Sequence, residues 1–164
     1  MKINDFVANN KKLNLTYSVL KNYSVANAVD IQYLYEKVAF AQNGWSGGRI
    51  LINEYNLPKD INNFLEECLI AYPESMNSYQ LYMMKGYPPS ITSRHKDPTD
   101  VLHWQCLGSA TWEIEDSEGN INSITLNPGD LLWLKDFSYH SVLNVSLKYS
   151  VIFATEPDEK TYPL

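Results

Sequence analysis

The second half of this chain is an almost unbroken succession of short strand-like runs. "YQLYMMK", "VLHWQCL", "ATWEIED", "NSITL", "DLLWL", "HSVLNVSL" and "YSVIFA" are five to eight residues long and are rich in β-branched and aromatic side chains. Between them lie "GYPPS", "KDPTD", "SEGN" and "NPGD", each dense in residues that favour turns. Many short strands at such spacing indicate a sandwich or barrel. "EDSEGNINS", between two alternating runs, reads as a hairpin.

Before Pro73 the pattern is mixed. "LNLTYSV" over 13–19 alternates as a half-buried strand does. Over 27–42, Ile31, Leu34, Tyr35, Val38 and Ala41 recur at helical spacing, and Asn43-Gly44 makes a stop. "RILINEY" predicts a short strand. Pro58 and Asp60 then open a second helix whose apolar face is Ile61, Phe64, Leu65, Cys68 and Leu69. With no repeat, low-complexity tract or linker, the 164 residues read as one domain. Residues 1–75 form a mixed α/β layer and 76–157 a mainly β barrel, with the helices packed on it.

Composition narrows the function. The net charge of −6, without a run of Lys or Arg, offers no footprint for a phosphate backbone. Neither an apolar leader nor an 18-residue apolar run is present, so the expected setting is the cytoplasm, with no membrane partner. Cys68 and Cys106 sit in apolar runs and read as buried free thiols. Twelve tyrosines and four tryptophans suit a filled core or a pocket.

The chemistry lies in "SRHKDPTD" at 93–100. An isolated H-x-D in a charged turn is usually a solvated loop. In a strand, however, residues i and i+2 point the same way, so His95 and Asp97 could present imidazole and carboxylate to one point. Only His103 and His140 remain as further histidines. His140 lies ten residues after Asp130 of the Pro-Gly-Asp turn, at the start of a strand; if that strand neighbours the first, it supplies a third ligand. Two histidines and one carboxylate with an open opposite face suit Fe(II). Trp104, Gln105, Trp112 and Trp133 read as fillers of a small barrel. "NGWSGGR" lacks the Lys-Ser/Thr ending of a phosphate loop and reads as a turn or lid.

The stretch from "SYQLYMM" to "FATEP", about half the chain, resembles the JmjC-type cupin family of Fe(II)/2-oxoglutarate oxygenases. The resemblance rests on His95 and Asp97, then Gln105, Gly108 and Trp112, then Pro128, Gly129, Asp130 and His140. It implies a double-stranded β-helix, the jelly-roll or cupin barrel, with His95, Asp97 and His140 as iron ligands. It also implies 2-oxoglutarate as co-substrate, with Thr92, three positions before the first His, among its binding residues. The basic residue that relatives often place fifteen positions after that His is Ala110 here. Lys148 is the first candidate to replace it and His103 the second, with Arg94 and Lys85 behind them. A hydroxyl on the co-substrate could come from Tyr33, Tyr35, Tyr79 or Tyr82.

The resulting expectation is an Fe(II)- and 2-oxoglutarate-dependent hydroxylase acting on a protein side chain or a small molecule. One rival is a metal cupin enzyme that uses no 2-oxoglutarate, which Ala110 favours. The other is a non-catalytic cupin that binds a partner. A homodimer is an assembly such barrels often form, and exposed tyrosines could serve its interface.

Overall fold

The computed structural model describes residues 1–25, 32–33, 49–51, 57–86, 90–144 and 146–155. Most of the helix expected over 27–42, including Tyr35, and the Gly-rich stretch that follows it lie outside the described residues, as does the Lys85 side chain.

The described chain runs α1 (Ile3–Lys12), β1 (Tyr17–Leu20), β2 (Arg49–Leu51) and α2 (Lys59–Ala71). After a 3₁₀ turn come β3 (Tyr79–Gly86), β4 (Ser90–His95), β5 (Val101–Leu107), β6 (Ala110–Glu115), β7 (Ile121–Leu126), β8 (Leu131–Leu134), β9 (His140–Asn144) and β10 (Lys148–Thr155). All described pairings are antiparallel and form two sheets, β1-β8-β5-β10-β3-β2 and β4-β9-β6-β7. The two sheets pack face to face as a jelly roll, the double-stranded β-helix expected from the sequence.

Two kinds of strand sequence explain this layering. β5, β8 and β10 are buried along almost their whole length because both faces of the larger sheet are covered. Leu102, Trp104, Trp133, Val151 and Phe153 face the helices, packing with Ile3, Phe6, Ile61, Phe64 and Cys68. Val101, Leu132, Leu134, Ile152 and Ala154 face the smaller sheet and meet Trp112, Ile114, Leu126 and Val142. β6 and β9 have only one covered face and alternate buried with exposed residues.

α2 forms where its apolar face predicts it, with Ile61, Phe64, Leu65 and Cys68 buried. α1 was not expected, and it precedes the opening strand read over 13–19, which forms as Tyr17–Leu20. Its Ile3, Phe6, Val7 and Asn10 follow one helical face, and a turn after Lys12 separates it from β1. The β6–β7 hairpin forms as read. Asp116 holds its turn by accepting backbone N–H bonds from Glu118 and Asn120, each at 2.9 Å, and these bonds keep its carboxyl below the usual range. Both cysteines are buried and free. Among the described residues, no helix is long and apolar enough to cross a membrane.

Candidate metal centre

β4 and β9 are neighbours, which places His95 opposite His140 in the ladder. A bulge decides which way His95 points. Thr92 pairs with Val142 and His95 with His140, so Ser93 and Arg94 together stand opposite Ser141. The extra residue turns both Thr92 and His95 toward the interior. Arg94 is left outside, ion-paired with Glu115 and lying over the Tyr139 ring at 4.3 Å, away from any co-substrate role.

Asp97 reaches the same point by a different route from the one its spacing suggests. β4 ends at His95, so the carboxylate is delivered by the following loop rather than by strand alternation. That loop is fastened to the segment before His140. The Phe137 N–H donates to the Asp97 carbonyl at 2.7 Å, with Phe137 in the left-handed region at φ 55°, and the Asp136 N–H donates to Asp100 Oδ1 at 2.9 Å.

The three side chains converge. Asp97 Oδ1 lies 3.9 Å from His95 Nε2, and Oδ2 lies 3.6 Å from His140 Nε2. One ligand atom from each residue falls within 4.8 Å of the others. Two atoms bound to one metal at about 2.1 Å cannot be more than about 4.2 Å apart, so the group needs only a small contraction to hold an ion. The tautomers are already set for it. His95 Nδ1 lies 2.8 Å from the Ser93 carbonyl, and His140 Nδ1 lies 2.9 Å from the Ser138 carbonyl. A carbonyl only accepts, so both Nδ1 atoms carry a proton, and Nε2 of each ring, the nitrogen able to offer a lone pair to a metal, faces Asp97. Burial lowers the His140 pKa, which keeps that lone pair free.

Behind the triad lies a narrow cavity of about 60 Å³, lined by Thr92, Trp112, Val142, Ile152, His103 and Lys148 among others. Its inner end is polar and unsatisfied. Lys148 is 1% exposed, and its Nζ forms no hydrogen bond or ion pair with any described residue. Burial pushes its pKa down to about 8. The Trp112 Nε1 and His103 Nδ1 atoms, both buried, also have no partner. Trp112 stacks on His140 with ring centroids 5.5 Å apart and meets His103 edge-on at 4.9 Å. Tyr82 lines the cavity, whereas Tyr79 stacks on Phe153 on the helix side of the large sheet, and Tyr33 is packed against the core on that side.

The structure thus brings His95, Asp97, His140, Thr92, His103 and Lys148 around one cavity. What sequence reasoning missed is largely main chain: the carbonyls of Ser93 and Ser138 can be offered by any residue type. Ala110 is fully buried between the sheets, opposite Leu126 and Asn144. Of the Trp and Gln residues read as fillers, Trp104 and Trp133 do fill the core. Gln105 instead fixes the orientation of His103 through a 3.0 Å bond.

No protein-family model matches the sequence, and no curated protein matches it. Solved structures do. A prolyl-4-hydroxylase from Pseudomonas putida superposes with a TM-score of 0.73 at 10% identity, over 94% of this chain and 98% of that one. The ribosomal oxygenase YcfD of Escherichia coli superposes with a TM-score of 0.63 at 14% identity, over 93% of this chain and 53% of that one. An oxalate decarboxylase from Lactobacillus farciminis gives 0.51 at 12%, over 71% of this chain and 31% of that one. The chain therefore spans nearly the whole of the first protein, half of the second and a third of the third. At these identities the likeness is one of fold, the cupin-like barrel on which oxygenases and decarboxylases are both built.

Proposed function

We propose that this chain is an Fe(II)- and 2-oxoglutarate-dependent hydroxylase. One observation carries the reading: a single cavity has a convergent His-Asp-His group at its mouth and an unpaired, buried ammonium at its inner end. A dicarboxylate with a 2-oxo group has the matching ends, a chelating head for the metal and a distal carboxylate for Lys148. His95, Asp97 and His140 would hold the metal, and the imidazole–carboxylate donor set suits Fe(II). When bound, that ion supplies the open coordination positions and the redox chemistry that couple O₂ to oxidation of the co-substrate.

The chain's own residues do the remaining work. The Ser93 and Ser138 carbonyls hold a proton on Nδ1 of each imidazole and so leave Nε2 as the nitrogen that would bind the metal. Lys148 is cationic at neutral pH and gains a partner when a carboxylate enters. Thr92, on the cavity wall, offers a hydroxyl to the same ligand. Val101, Leu134, Val142 and Ile152 exclude water from the space between. At the rim, Phe137 and Tyr139 are exposed beside Lys96, whose Nζ lies 5.6 and 5.3 Å from their ring centroids. An aromatic and cationic rim of this kind suits a polypeptide substrate, and we assign the reaction to a protein side chain.

The test is turnover. Protein reconstituted with Fe(II) should convert 2-oxoglutarate to succinate under air, and His140→Ala should abolish this. Iron binding without succinate formation would exclude the reading. One feature favours a second reading, a metal cupin acting on a smaller chelating acid: the cavity of about 60 Å³ holds only a few water molecules, well below the roughly 300 Å³ of a typical small ligand pocket. Iron-dependent consumption of a two- or three-carbon oxo acid, with 2-oxoglutarate untouched, would select it.

A further inference from the structure

The three histidines of this chain are held in opposite tautomers. In the metal group Nδ1 carries the proton. In His103 the bonding is reversed, and the reason can be followed atom by atom. Gln105 Nε2 lies 3.0 Å from the Leu107 carbonyl and 2.9 Å from the Gly108 carbonyl. Both are acceptors, so the NH₂ of Gln105 must face them and its Oε1 must face inward. Oε1 lies 3.0 Å from His103 Nε2. Nε2 must therefore donate, and Nδ1 is left as a bare lone pair with no partner, on a residue that is fully buried. A buried acceptor left empty is costly, and so is a buried ammonium without a bond. Here the two occur on the wall of one cavity, on strands paired side by side, with Ile152 of β10 opposite His103 of β5. Burial and the positive charge of Lys148 both hold the imidazole neutral.

We propose that His103 is the positioning residue of Lys148: the two side chains are not bonded in the structure, and a change of the Lys148 rotamer within the cavity lets Nδ1 accept one proton of the ammonium, which aims the remaining two at the anion that fills the inner end of the cavity. Gln105 acts one step further back, by fixing the tautomer. His103 is thus an acceptor from Lys148 and not itself the cation that meets a carboxylate. The part of this proposal that concerns the anion rests on the reading above; the part that concerns the two side chains does not.

The experiment separates them. In metal-free protein, ¹⁵N imidazole spectra should show His103 protonated on Nε2 with Nδ1 hydrogen-bonded, and Lys148→Met should shift Nδ1 to the position of an unbonded nitrogen. An unchanged Nδ1 resonance in Lys148→Met, or an Nδ1–H tautomer, overturns the proposal whether or not 2-oxoglutarate binds. In Fe(II)-loaded protein, His103→Leu should weaken 2-oxoglutarate binding about tenfold with iron affinity unchanged, and His103→Gln, which restores an acceptor, should recover most of the loss. In a Lys148→Met background, His103→Leu should cost nothing further. An equal loss with and without Lys148 would make His103 a packing residue. Absence of 2-oxoglutarate binding in the wild type, alongside the expected spectra, would sink the functional reading and leave this one standing.

Discussion

The mouth and the inner end of the cavity solve opposite problems with the same residue type. At the mouth, His95 and Asp97 have side chains 39% exposed, and the imidazoles are fixed by backbone carbonyls two residues before them. At the inner end, His103 is fully buried and fixed by a side-chain amide. The first arrangement leaves lone pairs directed at a carboxylate, which is a cation's environment. The second leaves a lone pair and an ammonium facing an enclosed space, which is an anion's. Position in the barrel, rather than residue identity, separates the two roles.

Several changes would break or sharpen this contrast. The largest effect falls at the mouth. His140→Ala removes one of three ligands and should abolish Fe(II) binding by calorimetry while the metal-free fold persists by circular dichroism; retained binding would move the metal elsewhere. Next comes Gly108, which sits at φ +65° with space for no side chain: a Cβ there would lie 2.0 Å from the Leu147 carbonyl oxygen. Gly108→Ala should destabilise the protein by about 3 kcal/mol in chemical denaturation and should disturb the inner end first, because the Gly108 carbonyl holds Gln105.

Lys148→Met touches the inner end alone. It should weaken 2-oxoglutarate binding by about 10- to 100-fold and leave iron affinity unchanged. It should also make the ligand-free protein more stable at neutral pH, by roughly 3 kcal/mol at most. The folded pKa of Lys148, about 8, lies below its ordinary value of 10.5, so the unfolded chain binds more protons between those values. Wild-type stability should therefore gain a rising contribution from about pH 8 to 10.5 that the variant lacks. The smallest effect belongs to the rim. Phe137 is exposed and at positive φ, so Phe137→Gly should change stability by less than about 0.5 kcal/mol and leave both ends of the cavity intact.

Much of this was legible in advance because it depends on side-chain pattern. Short runs such as "DLLWL" and "ATWEIED" marked the strands, whereas the covering of one strand on both faces and the other on one emerges only in the structure. The convergence of His95, Asp97 and His140 was legible from residue type and from the Pro-Gly-Asp turn. That turn proves structural: Asp130 is buried, accepts the Asn127 N–H and pairs with Lys21 at 2.7 Å. α1 was overlooked although Ile3, Phe6 and Val7 carry helical spacing, because polar asparagines and lysines dilute the pattern. The β4 bulge and the delivery of Asp97 by a loop were not legible. They are set by backbone register, and a spacing of two residues looks the same in a strand and beyond its end.

The account's central claim is that one cavity binds a metal at its mouth and a dicarboxylate between that metal and Lys148. Anaerobic titration of the purified protein with Fe(II) and then 2-oxoglutarate tests it directly, by the weak visible charge-transfer band of a 2-oxo acid chelating Fe(II). The expected result is a band that saturates in the wild type, needs much more 2-oxoglutarate in Lys148→Met, and is absent in His140→Ala. Iron binding without a band, or a band indifferent to Lys148→Met, would contradict the claim.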